Sequence, residues 1–532
     1  MHTTTDNLTP GNWHKALLME DLEQSKVKMV RISGRQIAVF LSSGKVLACD
    51  NRCPHEGYPL SEGNLGEDCI LTCNWHNWKF RLTSGENMYG GDRLRTYPVE
   101  VIGADEVWID ITDPPFEERY EAIMASLEDA FTDYSYDRMC REVARLIQLG
   151  ADPMDTLRES ILWSWKKMEF GWSHAYAGMA DWLILYDEHE DEESRLACLA
   201  ESISHVAYDV LREQDYPYPN STLDFDEEIF CQSVEDENEE TALAMINGGL
   251  QQGMSFADFE PALSKASLAH YNDFGHCLIY VTKAGELISR LGDTVARPLL
   301  LSLVRNIIFA AREDRIPEFR GYAEALKDWG TSDNSTPHAR NWHKKSINKA
   351  LQATVNCSHA EPHSIYQSLL LANAINLLSF DIAQQTKVHI SVSNNIGWLD
   401  FTHGLTFANA VRKQCTKYPE LWPAGLLQMA CFSGRNAAFT KESNDLEQWR
   451  PDDTQHAMNS ILDQVLDHGQ GEHIVSVHLL KTALAVREEL EIMTVEEGEI
   501  LVGSLNRFVN SPIKRRQPRR TAHQSLQFVA KG

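Results

Sequence analysis

Two short loops constrain this chain more than any other stretch. Cys53-Pro-His55 and Cys73-Asn-Trp-His76 each offer one thiolate and one imidazole, and seventeen residues, Glu56 to Thr72, separate them. Such a pair suits a [2Fe–2S] centre with two cysteines on one iron and two histidines on the other, because each loop then supplies one ligand to each metal. Zinc is the alternative. Zinc motifs usually draw two ligands of one type from Cys-x-x-Cys or His-x₃-His, and the tight Cys-x-His spacing is unusual among them.

The 532 residues are too many for one core and predict two to four domains at roughly 150 residues each. No run of 18 apolar residues occurs, and the opening MHTTTDNLTPGNWHK lacks the charged and apolar regions of a signal peptide, so a cytoplasmic protein without a membrane span is expected. A formal charge of −28 argues against nucleic acid or an anionic membrane as main partner. The tail IKRRQPRRTAHQ is the exception, and its ordinary meaning is a solvated basic end. Eleven cysteines without pairing rhythm read as reduced thiols, a few of them free to bind metal.

The fold class expected is multidomain, a small all-β domain followed by a large all-α domain. From Trp13 to about Asp113, short alternating runs are broken by Ser-Gly-Arg and Ser-Ser-Gly-Lys turns, and two strands flank Gly103-Ala104-Asp105. The tandem prolines of Asp-Pro-Pro-Phe then stop strand pairing. Beyond them, stretches such as DRMCREVARLIQLG and HSIYQSLLLANAINLLSF carry apolar residues three and four apart. The division expected is 1–115, 116–510 and a basic tail at 511–532.

The stretch CPHEGYPLSEGNLGEDCILTCNWHNWKFRLTSGE, followed by RLRTYPVEV, resembles the cluster-binding part of Rieske ferredoxins and of Rieske domains in oxygenases. The resemblance covers about the first 115 residues and implies cluster ligands Cys53, His55, Cys73 and His76. Respiratory-type members carry an extra cysteine in each loop, where this chain has Tyr58 and Trp75, and Asn77 stands where glycine is common. Without that disulfide or a hydroxyl donor to the cluster sulfurs, the lower-potential ferredoxin type is expected.

The usual partner of a fused Rieske domain carries an Asp-x-x-His-x₄-His iron motif, which is not found; His473-x₄-His478 has only the second spacing. Histidines concentrate instead at the starts of apolar helices: His174, His276, His403 and His478. Two of them close an Asp-Phe-x-His core, Asp273 to His276 and Asp400 to His403. A carboxylate and an imidazole three apart share a helix face, the arrangement by which bundles hold a di-iron centre. Both aspartates could equally be N-caps. His205, one turn after Glu201, and His363, four after His359, are further candidate ligands, with Glu169 and Asp181 as possible carboxylates. His189, His338, His343, His456 and His468 lie in polar surroundings and are expected at the surface.

The helix-starting histidines also resemble the pattern of questin oxidase-like proteins, helical oxygenases of polyketide anthraquinones. That resemblance implies an oxygen-using site lined by His174, His276, His403 and His478. With no Gly-rich dinucleotide fingerprint, a separate NAD(P)H-dependent reductase or a ferredoxin must supply electrons. The expectation is a Rieske cluster feeding a non-haem, di-iron, O₂-activating site that oxidises an aromatic or polyketide carbon, an amine or a hydroxylamine. A metal-free oxygenase and a redox-sensing ferredoxin on a helical scaffold are the alternatives, and a head-to-tail homo-oligomer could join centres of neighbouring chains.

Overall fold

The computed structural model describes residues 11–103, 105–331, 334–442 and 444–530. Two compact units divide at Pro153 and Met154.

In the first unit, two-residue turns at Ser33-Gly34 and Ser43-Gly44 join the antiparallel strands Val27–Ile32, Arg35–Ser42 and Lys45–Asp50, with Ile32 opposite Arg35 and Ser42 opposite Lys45. Thr96–Tyr97 completes this sheet. Strand Arg35–Ser42 is buried on both faces, because alternate side chains enter different cores: Ala38 and Phe40 join one, Ile37 and Val39 the other. A second sheet orders Trp13–Leu18, Glu106–Asp110 and Val99–Ile102. A third, of Asn64–Leu65, Ile70–Thr72, Lys79–Arg81 and Glu86–Asn87, carries the second Cys/His loop between its middle strands.

The change from strand to helix falls at Pro115, but the unit continues through helices Phe116–Thr132 and Tyr136–Leu149, which pack on each other. Asp113 is pinned between Arg35 and Arg95 at 2.9 and 2.6 Å. The Asp92 carboxylate, 0% exposed, accepts from Arg141 and Arg145 at 2.7 and 2.9 Å and ties the second helix to the β-domain.

The second unit is helical, and its described residues pair as strands only at isolated bridges. Helices His174–Glu188, His276–Leu291, Trp398–Lys417 and His473–Glu489 close a ring in which each packs on two neighbours. Residues of the last two are buried on most sides, as expected of helices at the centre of an all-α core. In the basic tail Lys514, Arg515, Arg516 and Arg519 are exposed, as a solvated end requires, and Arg520 alone of its described basic residues is buried. Pro518–Val529 is a helix, and Arg520 donates to the carbonyls of Lys387 and Gln384 at 2.8 and 2.6 Å. The two backbone acceptors offset part of the cost of taking the guanidinium out of water.

Candidate functional sites

The two Cys/His loops are built alike. The Cys53 N–H donates to the Tyr58 carbonyl and the Gly57 N–H returns to the Cys53 carbonyl; Cys73, Trp78 and Asn77 repeat the pattern. Both closures need a left-handed residue, Gly57 at φ 77° and Asn77 at φ 61°. Asparagine is among the few residues that adopt this conformation readily, which explains its presence at a position suited to glycine.

Cys53 and Cys73 are buried in the apolar core with Phe80 and Leu71, whereas the rings of His55 and His76 stand half-exposed with centroids 4.8 Å apart. Burial pushes the Cys53 thiol up to about 11, against backbone donors at His55 and Glu56 that favour the thiolate. Trp78 stacks on His55 at 4.4 Å and Trp75, 58% exposed, on His76 at 5.4 Å. Tyr58 and Trp75 meet edge to face at 5.6 Å. Two buried sulfurs with two outward imidazoles are a donor set that would hold a [2Fe–2S] cluster.

In the second unit the four helix-starting histidines converge. His403 Nε2 lies 2.8 Å from His276 Nε2 and 3.3 Å from His478 Nε2. The His174 ring centroid lies 4.5 Å from that of His276 and 4.9 Å from that of His478, and its Nε2 is enclosed without a hydrogen-bond partner. The tautomers follow from the outer nitrogens. His403 Nδ1 and His478 Nδ1 each donate to a backbone carbonyl, Leu399 and Ile474, at 2.6 Å. His276 Nδ1 faces the Asp273 carboxylate at 3.4 Å. With each proton held on Nδ1, three Nε2 lone pairs point at one another. Protonation offers no easy relief, because burial, reinforced by the charge of Lys481, holds His174, His403 and His478 well below their ordinary values. Convergent neutral imidazoles with outer nitrogens fixed by oxygen acceptors are the pattern of metal-binding histidines, and His174, His276 and His403 bring their donor atoms within 4.8 Å of one another.

The turn before His276 is strained. Asp273, Phe274 and Gly275 take φ of 37°, 50° and 76° in succession, and a Cβ on Gly275 would stand 2.3 Å from the Phe407 ring. Strain of this kind persists where surrounding packing over-determines it, often beside a functional group; here it aims Asp273 at His276.

The remaining candidates go elsewhere. Asp400 accepts from the Gly397 N–H at 2.8 Å and pairs with Arg435 at 3.2 Å, so it caps its helix and does not meet His403. His363 is exposed beside Trp422, and His359 and Glu169 are exposed too. Asp181 is buried against Lys283 at 2.7 Å. His205 stacks on His473 at 5.0 Å and lies 3.8 Å from Asp209. His468, expected at the surface, packs against Glu201 at 3.2 Å and beside Trp182, because the loop after Leu466 folds back on the helix that carries Glu201. Lys481, one turn beyond His478 and buried, carried no sequence signal beyond a lone cation in the apolar run SVHLLKTALAV.

Residues 12–98 match the family described as the Rieske [2Fe-2S] domain. The 4beta-methylsterol monooxygenase of Methylococcus capsulatus is 33% identical over 108 residues, 18% of this chain and 29% of that protein. Pheophorbide a oxygenase of Oryza sativa subsp. japonica is 37% identical over 71 residues, 13% of each chain. The ferredoxin component of the naphthalene 1,2-dioxygenase/salicylate 5-hydroxylase systems of Ralstonia sp is 29% identical over 92 residues, 17% of this chain and 88% of that one. The chain thus spans less than a third of the two oxygenases it matches. Among the described residues no helix is long and apolar enough to cross a membrane. Residues 12–98 are therefore a Rieske [2Fe–2S] domain, and a large helical region follows it.

Proposed function

We propose that the protein is an oxidoreductase in which the Rieske cluster delivers electrons to a non-haem iron centre held by His174, His276, His403 and His478. The pair would use O₂ to oxidise a small organic or nitrogenous molecule. The observation that carries this reading is the convergence of imidazole nitrogens whose outer nitrogens are fixed by Leu399, Ile474 and Asp273. Imidazole donors suit iron, and an electron-transfer domain in the same chain favours a redox-active ion over a structural one. When bound, the cluster supplies single electrons and the iron supplies a place for O₂ reduction. The protein's own part is to hold the four rings in one tautomer, exclude water, and present the His55 and His76 edge to an electron donor.

The donor set favours one ion over the di-iron centre expected from the sequence. Carboxylate-bridged di-iron bundles use several inward acidic residues, whereas here Asp273 stands behind His276 and Asp400 is engaged by Arg435. The Rieske-bearing oxygenases among the relatives support O₂ as oxidant. A separate reductase or ferredoxin is the proposed electron donor.

Iron and acid-labile sulfide per chain, measured on anaerobically purified protein with Mössbauer spectra of the same sample, test this reading. One iron beyond the two of the cluster is expected, and His403→Ala should lose it while keeping the cluster's electron paramagnetic resonance signal. Two additional irons would restore the di-iron reading. Full cluster occupancy with no additional iron would overturn the helical centre.

A further inference from the structure

On helix His473–Glu489, Lys481 follows His478 by three residues and shares its face. It is 5% exposed, and no hydrogen bond or ion pair joins its ammonium to a described residue. Burial, with no acceptor among those residues to meet its three donors, lowers the Lys481 ammonium to about 7. The charged groups that bear on it are Asp181 and Lys283. Asp181 Oδ1 is occupied by Lys283, which also holds Glu286 at 2.7 Å, while Asp181 Oδ2 is enclosed without a partner. Asp181 therefore offsets the Lys481 charge through space without bonding it.

Other features make the neighbouring centre electropositive. The four imidazoles are neutral. The 15- and 16-residue helices that begin at His174 and His276 direct their positive ends there. The carboxylate closest to the rings, Asp273, stands on the outer nitrogen of His276. The enclosed His174 Nε2 has no partner. The charge of Lys481 adds to burial in keeping His174, His403 and His478 below their ordinary values, and His478 lies one turn away from it on the same helix face.

We propose that Lys481 anchors an anionic oxygen of the substrate, a carboxylate, phenolate or enolate, beside the four imidazoles. This rests on the iron-centre reading and narrows its substrate class. Organic acids and ionised phenols fit; cationic amines do not, because they would add charge beside an unpaired ammonium. Lys481 is thus a substrate-binding residue, and a partner oxygen would satisfy its donors as it enters.

Calorimetric titration of the as-isolated holoprotein in chloride-free buffer at neutral pH tests the assignment. Formate and benzoate, each against its amide, give carboxylates of two sizes with neutral isosteres, and 4-nitrophenol reports by its absorbance whether it binds ionised. At least one anion should bind about tenfold or more tighter than its neutral counterpart, the ratio expected of a charge-assisted hydrogen bond. Lys481→Met should remove that preference at unchanged iron content. Equal binding of acid and amide, no binding of any anion, or full anion affinity in Lys481→Met would overturn the proposal. Should the methionine variant not fold, Lys481→Gln keeps a polar side chain of similar reach and must lose the same preference. Iron analysis of the same samples separates the two readings: iron present without anion preference sinks only the anchor, whereas absent helical iron sinks the centre itself.

Discussion

Replacing Asp273 by asparagine alters the support of one proposed metal ligand without touching the ligand. Asp273 Oδ2 stands 3.4 Å from His276 Nδ1. Burial opposes the charged carboxylate, but the His276 ring outweighs it and Asp273 sits below its ordinary value. A charged acceptor on Nδ1 fixes the tautomer and makes Nε2 a stronger donor to metal. Asparagine keeps an acceptor oxygen and tolerates the φ of 37° at this position, so the change is chiefly the loss of charge. Loss of such a support typically weakens metal binding 10–100-fold, about 1.4–2.7 kcal/mol. Competition between the helical centre and a chelator of known affinity, followed by cobalt(II) absorbance, measures this directly. The cluster's own absorbance serves as the internal control. Affinity within about threefold of wild type, with the cluster intact, would refute the claim that His276 is a metal ligand supported by Asp273.

Asp92→Asn should destabilise the first unit by about 2–3 kcal/mol. That is below the 3–5 kcal/mol of a fully buried broken pair, because Arg141 and Arg145 keep 33% and 37% side-chain exposure; denaturant unfolding followed by loss of cluster absorbance reads it. Gly57→Ala forces φ 77° on a residue with a Cβ and should cost about 1–2 kcal/mol, whereas Asn77→Gly should leave cluster incorporation and melting temperature nearly unchanged. Burial lowers His205 to about 3, so the unfolded state binds more protons below its ordinary value near 6.5. Its contribution to stability is therefore unchanged above that pH and falls by about 1.4 kcal/mol per unit as pH drops toward 3. His205→Gln should flatten that acid limb of the stability curve, and an unchanged slope would show that His205 is already protonated in the fold.

The Rieske domain was legible because the information in its two Cys/His loops is local. Cys53 and His55, and Cys73 and His76, lie within one turn of each other, and the turn itself dictates which side chains it presents. Helix-starting histidines were legible as inward-facing for the same reason, since an apolar face announces burial. Their meeting was not, because His276 and His403 are 127 residues apart and touch only through the packing of four helices.

The two Asp-Phe-x-His cores show the limit most plainly. Asp273 precedes a strained left-handed turn and faces His276, while Asp400 sits inside its helix, bonds the Gly397 N–H and meets Arg435 from another helix. The same four-residue pattern thus serves two purposes, and backbone entry angle and neighbour choose between them. His468 was misjudged and the burial of Arg520 unforeseen, because polar surroundings in sequence say nothing of a loop or helix folding back on the core. The sequence by itself determined the cluster loops, the β-to-α order of the chain and the inward face of each histidine helix, all consequences of short-range sterics and periodicity. Only the tertiary structure decided which imidazoles converge and which aspartate faces one of them, because those outcomes depend on how distant apolar faces exclude water together.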